Sequence, residues 1–455
     1  MAESLESSDQ LTMQKKYSLN TTQSKAVDYC LEHDSVLLIA DKGAGKTRTG
    51  LAVAHASGGR VLILCPNKVR AGWVKEGVKL GIDVRAIEGS EAVRKAMIDG
   101  RGRPVSKHAI YVMGVDLIKW LVDTYGAQIP FDGLILDETT RYSSPGSVGV
   151  KRLRRVREHI EWTLGLTASP VMEKPIAIYG QALVLDGGKT LGRRFDDFKQ
   201  TYLFPTDYQQ RNWELQPHAG ERLAVALAPL VYYMEDTAYA DSLVPLEEVR
   251  VEVNAWTKAF DVAYRDMCET ALMEINGVEV EAANEAVVSG KLEQLCEGAV
   301  LDANGVAHWI HYHKFDTLEQ ILDQEEPTIV VYQFKFELEE LRQRYPWGVD
   351  LKDPQALERF NAGDTNLLFM HPKSGSHGIN AQERCCEMIM MKPIWSADGT
   401  DQVVGRIRRR GQTRPCRRRT LYIPGTVDEL ILDRVAGKAQ DGGALLNHIR
   451  AKARK

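Results

Sequence analysis

Apolar residues fall along this chain in short continuous runs, not in alternation with polar ones. Val36–Ile39, Val61–Cys65, Ile110–Met113, Leu134–Leu136 and Thr163–Leu166 are such runs, each followed by turn residues. Stretches of helical length, such as Thr47–Ala56 and Glu91–Ile98, lie between them. Runs without a polar face predict strands covered on both sides, hence a parallel sheet between layers of helices. From about Pro175 to Glu326 the pattern turns mainly helical, as in Glu279–Val288. Strand signals return at Thr328–Tyr332, Leu367–Met370, Met388–Met391 and Arg419–Ile423. The expected fold class is α/β, with two parallel-sheet lobes flanked by helices and a helical insert between them. In residue numbers that gives an acidic tail over 1–15 and a first lobe over 16–245, with a helical extension from about 175. A helical linker over 246–325 and a second lobe over 326–455 follow.

Composition narrows the class. The chain has 455 residues, 44% of them apolar and 26% charged, which fits a multidomain globular protein and excludes disordered or fibrous ones. No apolar run approaches the roughly 18 residues of a membrane helix. The opening MAESLESSDQ lacks a secretory signal. Seven cysteines without a CxxC pair point to a reducing intracellular compartment, whether cytoplasm, nucleoid or, for a viral protein, the host cytoplasm. His311 and His313 have no neighbours to complete a metal set. The net charge of −4 argues against a polyanionic partner, but from Asp401 onward 14 Lys/Arg face only 5 Asp/Glu. That basic block reads either as a solvated tail or as one polyanion-facing surface.

Two segments carry chemistry. VLLIADKGAGKTRTGLAVAHA is strand, glycine-rich turn, helix. In its loop, Lys42, Gly43, Ala44, Gly45, Lys46 and Thr47 would cradle phosphates with backbone N–H groups at a helix N-terminus. Lys46 would reach the β- and γ-phosphates, and the Thr47 hydroxyl would hold Mg²⁺. FDGLILDETTRYSS supplies carboxylates at a strand end: Asp137 to orient Mg²⁺, Glu138 to activate the attacking water. Together they imply an ATPase or GTPase, and no NKxD-type guanine reader is present.

The ordered set resembles superfamily-two helicases, and among them Swi/Snf-type DNA translocases. Gln23 in YSLNTTQSKAV stands where the family reads adenine, and LILCPNKVRAGWVKE resembles its segment facing the DNA backbone. DETT resembles the DExH box with Thr140 at the histidine position. LGLTASP, with Thr167 and Ser169, resembles the motif coupling nucleotide to DNA. GGKTLGRRFDDFKQTYL is a further Swi/Snf-like stretch, after which the family's Arg-Arg is replaced by Tyr232-Tyr233. HPKSGSHGINAQ carries Gly378 and Asn380 at family positions, and IWSADGTDQVVGRIRRRGQ carries Trp395, Gln402, Gly405, Arg406, Arg409, Gly411 and Gln412.

The resemblance implies two RecA-like lobes, ATP and Mg²⁺ as ligands, and Lys46, Glu138, Gln402, Arg406 and Arg409 as catalytic residues. It implies Gln23, the 42–47 loop and Gly378 at the nucleotide, and Lys68, Arg70, Lys373 and Ser374 on DNA. The partner would be duplex or forked DNA bound without sequence preference, by a monomer that a further protein targets. The arginines also make sense without the family. A guanidinium fork meets two oxygens of a transferring phosphate, and residues three apart share a face on a helix. Trp73 and Trp395 read as core or as base-stacking residues. An RNA-dependent ATPase and a non-helicase P-loop protein are the alternative readings.

Overall fold

The computed structural model describes residues 16–41, 43–100, 108–170, 176–206, 208, 213–235, 243–275, 278–282, 285–375 and 380–436. They form two compact units, the first running to Ala240 and the second from Asp241.

In the first unit the seven-stranded sheet is built from β1 (Ser35–Ala40), β2 (Arg60–Cys65), β3 (Val84–Ile87), β4 (Ala109–Gly114), β5 (Gly133–Asp137), β6 (Trp162–Thr167) and β9 (Val231–Met234). Its order is β3-β4-β2-β5-β6-β1-β9, with every neighbour parallel. A short antiparallel pair, β7 (Leu203–Pro205) and β8 (Trp213–Leu215), stands apart. Alternate residues of one strand enter different cores. Leu37 and Ile39 join Leu62, Leu64 and Leu136 on one face, while Val36, Leu38 and Ala40 join Val61, Ile63 and Ile135 on the other. Burial on both faces is the physical origin of the unbroken apolar runs. Because all strands run the same way, the turns after β1, β5 and β6 open on one edge of the sheet, and these three strands are adjacent in the order β5-β6-β1.

The second unit holds β10 (Leu246–Glu252), β15 (Thr328–Val331), β16 (Val349–Asp350), β17 (Leu367–Met370), β18 (Glu387–Met390) and β19 (Cys416–Tyr422). They form a parallel sheet in the order β10-β19-β18-β15-β17-β16. The α/β class with two parallel-sheet lobes therefore stands as expected. Over 246–325, expected as a helical linker, helices Lys258–Thr270, Glu285–Cys296 and His313–Ile321 alternate with strands. That stretch supplies the edge strand β10 and two hairpins, β11 (Leu272–Ile275) with β12 (Val278–Glu281) and β13 (Ala299–Leu301) with β14 (Ala307–Trp309). Its Phe260, Met267, Met273 and Leu295 share a core with Val330, Phe369 and Leu421 of the second sheet. The expected helix over 279–288 is strand as far as Glu281, and a helix runs over Glu285–Cys296. β10 reads LEEVRVE, too charged to signal a strand, because it is an edge whose glutamates face the arginines of β19.

Candidate functional site

The turn after β1 is shaped by Gly43 (φ 91°) and Gly45 (φ 89°), both in the left-handed region that lets successive N–H groups point inward. Helix Lys46–Ala56 starts at once, with Gly45 as its N-cap and no side-chain cap. Its first amides thus remain directed at the mouth of the loop, as an anion site requires. Lys46 Nζ donates to the carbonyls of Ala40 (2.7 Å) and Asp41 (3.0 Å), folded back on the strand end. Thr47 follows on the first turn, half-buried. Lys42 lies outside the described residues.

Gln23 sits over this loop. Its backbone N–H bonds Asn20 Oδ1 at 2.8 Å and its Oε1 accepts the Asn20 N–H at 3.1 Å, a capping box that fixes the side chain. The remaining end, Nε2, donates to the Ala44 carbonyl at 2.9 Å. A Cβ on Gly45 would lie 2.3 Å from that nitrogen. Gln23 therefore braces the loop as well as standing at its entrance.

Asp137 ends β5 and Glu138 begins the turn after it. The Trp73 indole N–H donates to Asp137 Oδ2 at 2.8 Å. Burial pushes the Asp137 carboxyl above the usual carboxylate range, against the pull of the Trp73 N–H and the Lys46 charge. Lys46 and Asp137, read separately from two motifs, thus act on each other. Glu138 adopts φ 61°, ψ 67°, an uncommon conformation for a residue with a Cβ. Thr140 donates its hydroxyl to Glu138 Oε1 at 2.9 Å.

Thr167 ends β6 beside Ile39 of β1, fully buried, its hydroxyl without a hydrogen-bond partner among the described residues. Ser169 follows, half-buried. Between this strand end and the carboxylate turn lies a residue the sequence reading missed, Gln181. It is fully buried, accepts from Thr139 Oγ1 at 2.7 Å and donates to the Pro170 carbonyl. Its helix comes this close because a Cβ on Gly180 would lie 2.2 Å from the Tyr142 carbonyl oxygen. The available signal was one amide in an otherwise apolar helix, AIYGQALVLD.

In the second unit, Gln402 lies on helix Ala397–Val404. The expectation that Arg406 and Arg409 share a helical face is corrected: the helix stops at Val404, and both lie in the turns after it. Gly405 caps the helix and the amides of Arg406 and Ile407 close short turns onto Val403 and Val404. The two guanidiniums are nonetheless near each other. Arg406 Nε donates to the Gln402 carbonyl at 3.1 Å, and Arg409 Nη1 donates to Asn380 Oδ1. Burial, with the Arg409 charge added, lowers Arg406 to about 10. Gly378 lies outside the described residues.

Of the residues expected on DNA, Lys68 is exposed at the start of helix Asn67–Leu80, and Arg70 pairs with Glu88 at 2.8 Å. Lys373 is exposed on the short helix Pro372–Gly375, which also carries the backbone of Ser374. Among the described residues, four arginines of the basic block are paired with acids. Arg414 meets Glu326 at 2.7 Å, Arg417 meets Glu247 at 2.7 Å, Arg418 meets Glu248 at 2.9 Å and Arg419 meets Glu387 at 2.8 Å. Residues 437–455 lie outside the described residues. Trp73 is core, 1% exposed, and the Trp395 indole donates to Glu293 at 2.8 Å. His311 is buried with Nε2 against the Leu295 carbonyl, and no cluster of metal-ligating side chains occurs among the described residues. No helix among them is long and apolar enough to cross a membrane.

No family model matches the chain. Putative protein p41 of Acyrthosiphon pisum secondary endosymbiont phage 1 is 27% identical over 469 residues, covering 96% of this chain and 100% of its own length. Among solved structures, the Sulfolobus solfataricus SWI2/SNF2 ATPase core in complex with dsDNA is similar with a TM-score of 0.43 at 17% identity, over 96% of each chain. The Sulfolobus solfataricus SWI2/SNF2 ATPase core domain is similar with a TM-score of 0.42 at 19% identity, over 92% of this chain and 88% of that one.

Proposed function

We propose that this chain is a DNA-stimulated ATPase that uses ATP hydrolysis to move along or remodel DNA. The observation that carries the reading is the meeting of the glycine loop and the carboxylate turn on one edge of the sheet, with the Lys46 charge acting on Asp137. The loop amides and Lys46 bind the phosphates, the lysine leaving the carbonyls of Ala40 and Asp41 to do so. The Thr47 hydroxyl and the Asp137 carboxylate offer the oxygen-only donors that suit Mg²⁺. Bound there, Mg²⁺ neutralises charge on the phosphate oxygens. Glu138 orients the attacking water and takes its proton, while Gln23 keeps the loop in shape at the nucleotide's edge.

Arg406 and Arg409, with Gln402 before them, complete the reaction by meeting charge on the γ-phosphate. Such guanidiniums contribute roughly 10³–10⁵ in rate in other nucleotide hydrolases. Thr167 and Ser169 pass the state of the nucleotide to the DNA-holding loops, where Lys68 and Lys373 contact phosphates. Binding of that kind is salt-dependent and blind to sequence. The test is ATP turnover with single-stranded DNA, duplex, forked DNA and RNA side by side. Duplex or forked DNA stimulates the wild type, and Lys46→Ala and Glu138→Gln are inactive while still binding DNA. Stimulation by RNA alone, or full turnover in either variant, overturns the proposal.

A further inference from the structure

Trp73 is a core tryptophan. It lies on helix Asn67–Leu80, is 1% exposed, and aims its single polar atom at Asp137 Oδ2, 2.8 Å away. The far edge of the ring abuts the phosphate-loop helix: a Cβ on Gly50 would sit 3.0 Å from its Cη2. One turn further along, Glu76 accepts from Arg48 of that same helix, at 2.9 Å from Nε and 2.7 Å from Nη2. Helix Asn67–Leu80 is thus pinned to the helix carrying Lys46 and Thr47 at two points and to Asp137 at a third. Its first residues, Asn67 and Lys68, are exposed.

A carboxylate that ligates a cation needs a fixed rotation about its terminal torsion, a broad and two-fold one when nothing holds it. An N–H on one oxygen supplies that fixation, here beside the Glu138 backbone N–H that also acts on the carboxyl. Partners of this kind tune cation affinity about 10- to 100-fold where they have been removed in other proteins. Packing accounts for the buried rings but not for an N–H whose acceptor is the carboxylate that ends β5.

We infer that Trp73 is a positioning residue for the ATPase reaction: its indole N–H sets the orientation of Asp137 toward the cation of the bound nucleotide. It also ties that carboxylate to the helix that begins with Lys68. This role rests on the proposed ATPase function.

The test is Trp73→Phe, which keeps one aromatic ring and deletes the donor with the pyrrole half of the indole. Mn²⁺ affinity is read by electron paramagnetic resonance with a non-hydrolysable ATP analogue, beside the Mg²⁺ dependence of turnover. Both half-saturating concentrations rise about tenfold, while analogue affinity in EDTA is unchanged. Equal Mn²⁺ affinity and equal Mg²⁺ midpoints in variant and wild type overturn the proposal. If Trp73→Phe does not fold, the wild type decides, since Mn²⁺ with the analogue broadens the Trp73 indole resonance. Bound Mn²⁺ that leaves every indole resonance sharp overturns it. A wild type without Mg²⁺-dependent ATP hydrolysis overturns the ATPase reading itself, a result separate from any difference between the two proteins.

Discussion

The hydroxyl of Thr140 donates to Oε1 of Glu138 across 2.9 Å, on a turn where Glu138 holds φ 61°. A left-handed backbone costs a residue with a Cβ roughly 1–2 kcal/mol, so the carboxylate is held where it is by its surroundings and not by local preference. Thr140 is part of those surroundings, and it occupies the position where the resemblance has histidine. Thr140→Val removes the donor at nearly constant volume. Turnover falls about 10- to 100-fold, the size of one hydrogen bond to a charged carboxylate, with the KM for ATP unchanged, and Thr140→Ser retains most of the rate. Steady-state ATPase assays check this. A serine variant as slow as the valine one would show that volume, not the hydroxyl, matters.

Gly45 is fixed by two constraints at once, φ 89° and the Gln23 amide 2.3 Å from any added Cβ. Gly45→Ala therefore loses nucleotide affinity by an order of magnitude or more and destabilises the fold by about 1–2 kcal/mol. Gln23→Ala removes the clash but not the backbone strain. The double variant binds nucleotide better than the sum of the single losses requires, as fluorescence titration with a labelled ATP analogue would reveal. Strict additivity would mean that Gln23 does not brace the loop.

The readable parts of this sequence are those whose physics is local. β1, β2, β4, β5 and β6 announce themselves because burial on both faces forces unbroken apolar runs. The glycine loop does so because positive φ at two positions all but demands glycine. β10 stayed hidden because its glutamates make sense only beside Arg417 and Arg418 of β19, far away in sequence. In the hairpin strands Leu272–Ile275 and Val278–Glu281, exposed Leu272, Glu274, Glu279 and Glu281 alternate with buried Met273, Ile275 and Val280, in runs too short to separate from a helix. Arg406 and Arg409 were recognisable as a pair, but the three-residue spacing suggested a helix that Gly405 ends. The roles of Trp73 and Gln181 depend on partners 64 and 42 residues away, which no local pattern reports.

The second unit buries an ion cluster whose members respond differently to removal. Lys314 Nζ lies 2.6 Å from Glu297 Oε1 and 2.7 Å from Asp428 Oδ2, with all three side chains inaccessible. Burial pushes the Glu297 carboxyl well up, against the attraction of Lys314. Lys314→Met leaves two buried carboxyls without a cation and costs about 3–5 kcal/mol. Glu297→Gln keeps a hydrogen-bond acceptor for Lys314 while Asp428 still faces the cation, and costs less, about 1.5–3 kcal/mol. Urea unfolding of both variants measures the contrast, and equal losses would rule out the unequal roles.

His311 makes stability depend on pH. Burial first, then the neighbouring charges of His313 and Lys314, lower it to about 4, while the Leu295 carbonyl and Asp316 pull the other way. An unfolded histidine titrates near 6.5, so the unfolded chain takes up this proton before the folded one. Stability from this residue is complete above about pH 6.5 and is lost as the pH falls toward 4. The loss amounts to about 3 kcal/mol. Urea midpoints at pH 7, 6 and 5, compared between wild type and His311→Gln, isolate the contribution. The wild type should lose more than the variant across that range, and parallel lines would refute the assignment.

Burial disfavours the Arg406 charge and the neighbouring Arg409 cation adds to the cost, which is why Arg406 falls to about 10. Arg406 braces the turn through the Gln402 carbonyl and Arg409 holds Asn380, and these contacts alone do not require the two cations to lie side by side. A polyvalent anion reverses the balance: each phosphate oxygen it brings relieves the repulsion and regains what desolvation took. If that anion is the transferring γ-phosphate, the benefit is greatest when charge is spread over its oxygens, and it appears in turnover before it appears in binding. Arg406→Ala should then leave ATP affinity within about threefold while kcat falls by roughly 10³ or more. Arg409→Ala should follow the same pattern, and the double variant should be little worse than either, since the two act on one group. Nucleotide titration and single-turnover hydrolysis on the three variants separate the cases. Loss of ATP binding in step with turnover would make the pair ground-state ligands. Unchanged turnover would leave two neighbouring cations with no task in the reaction.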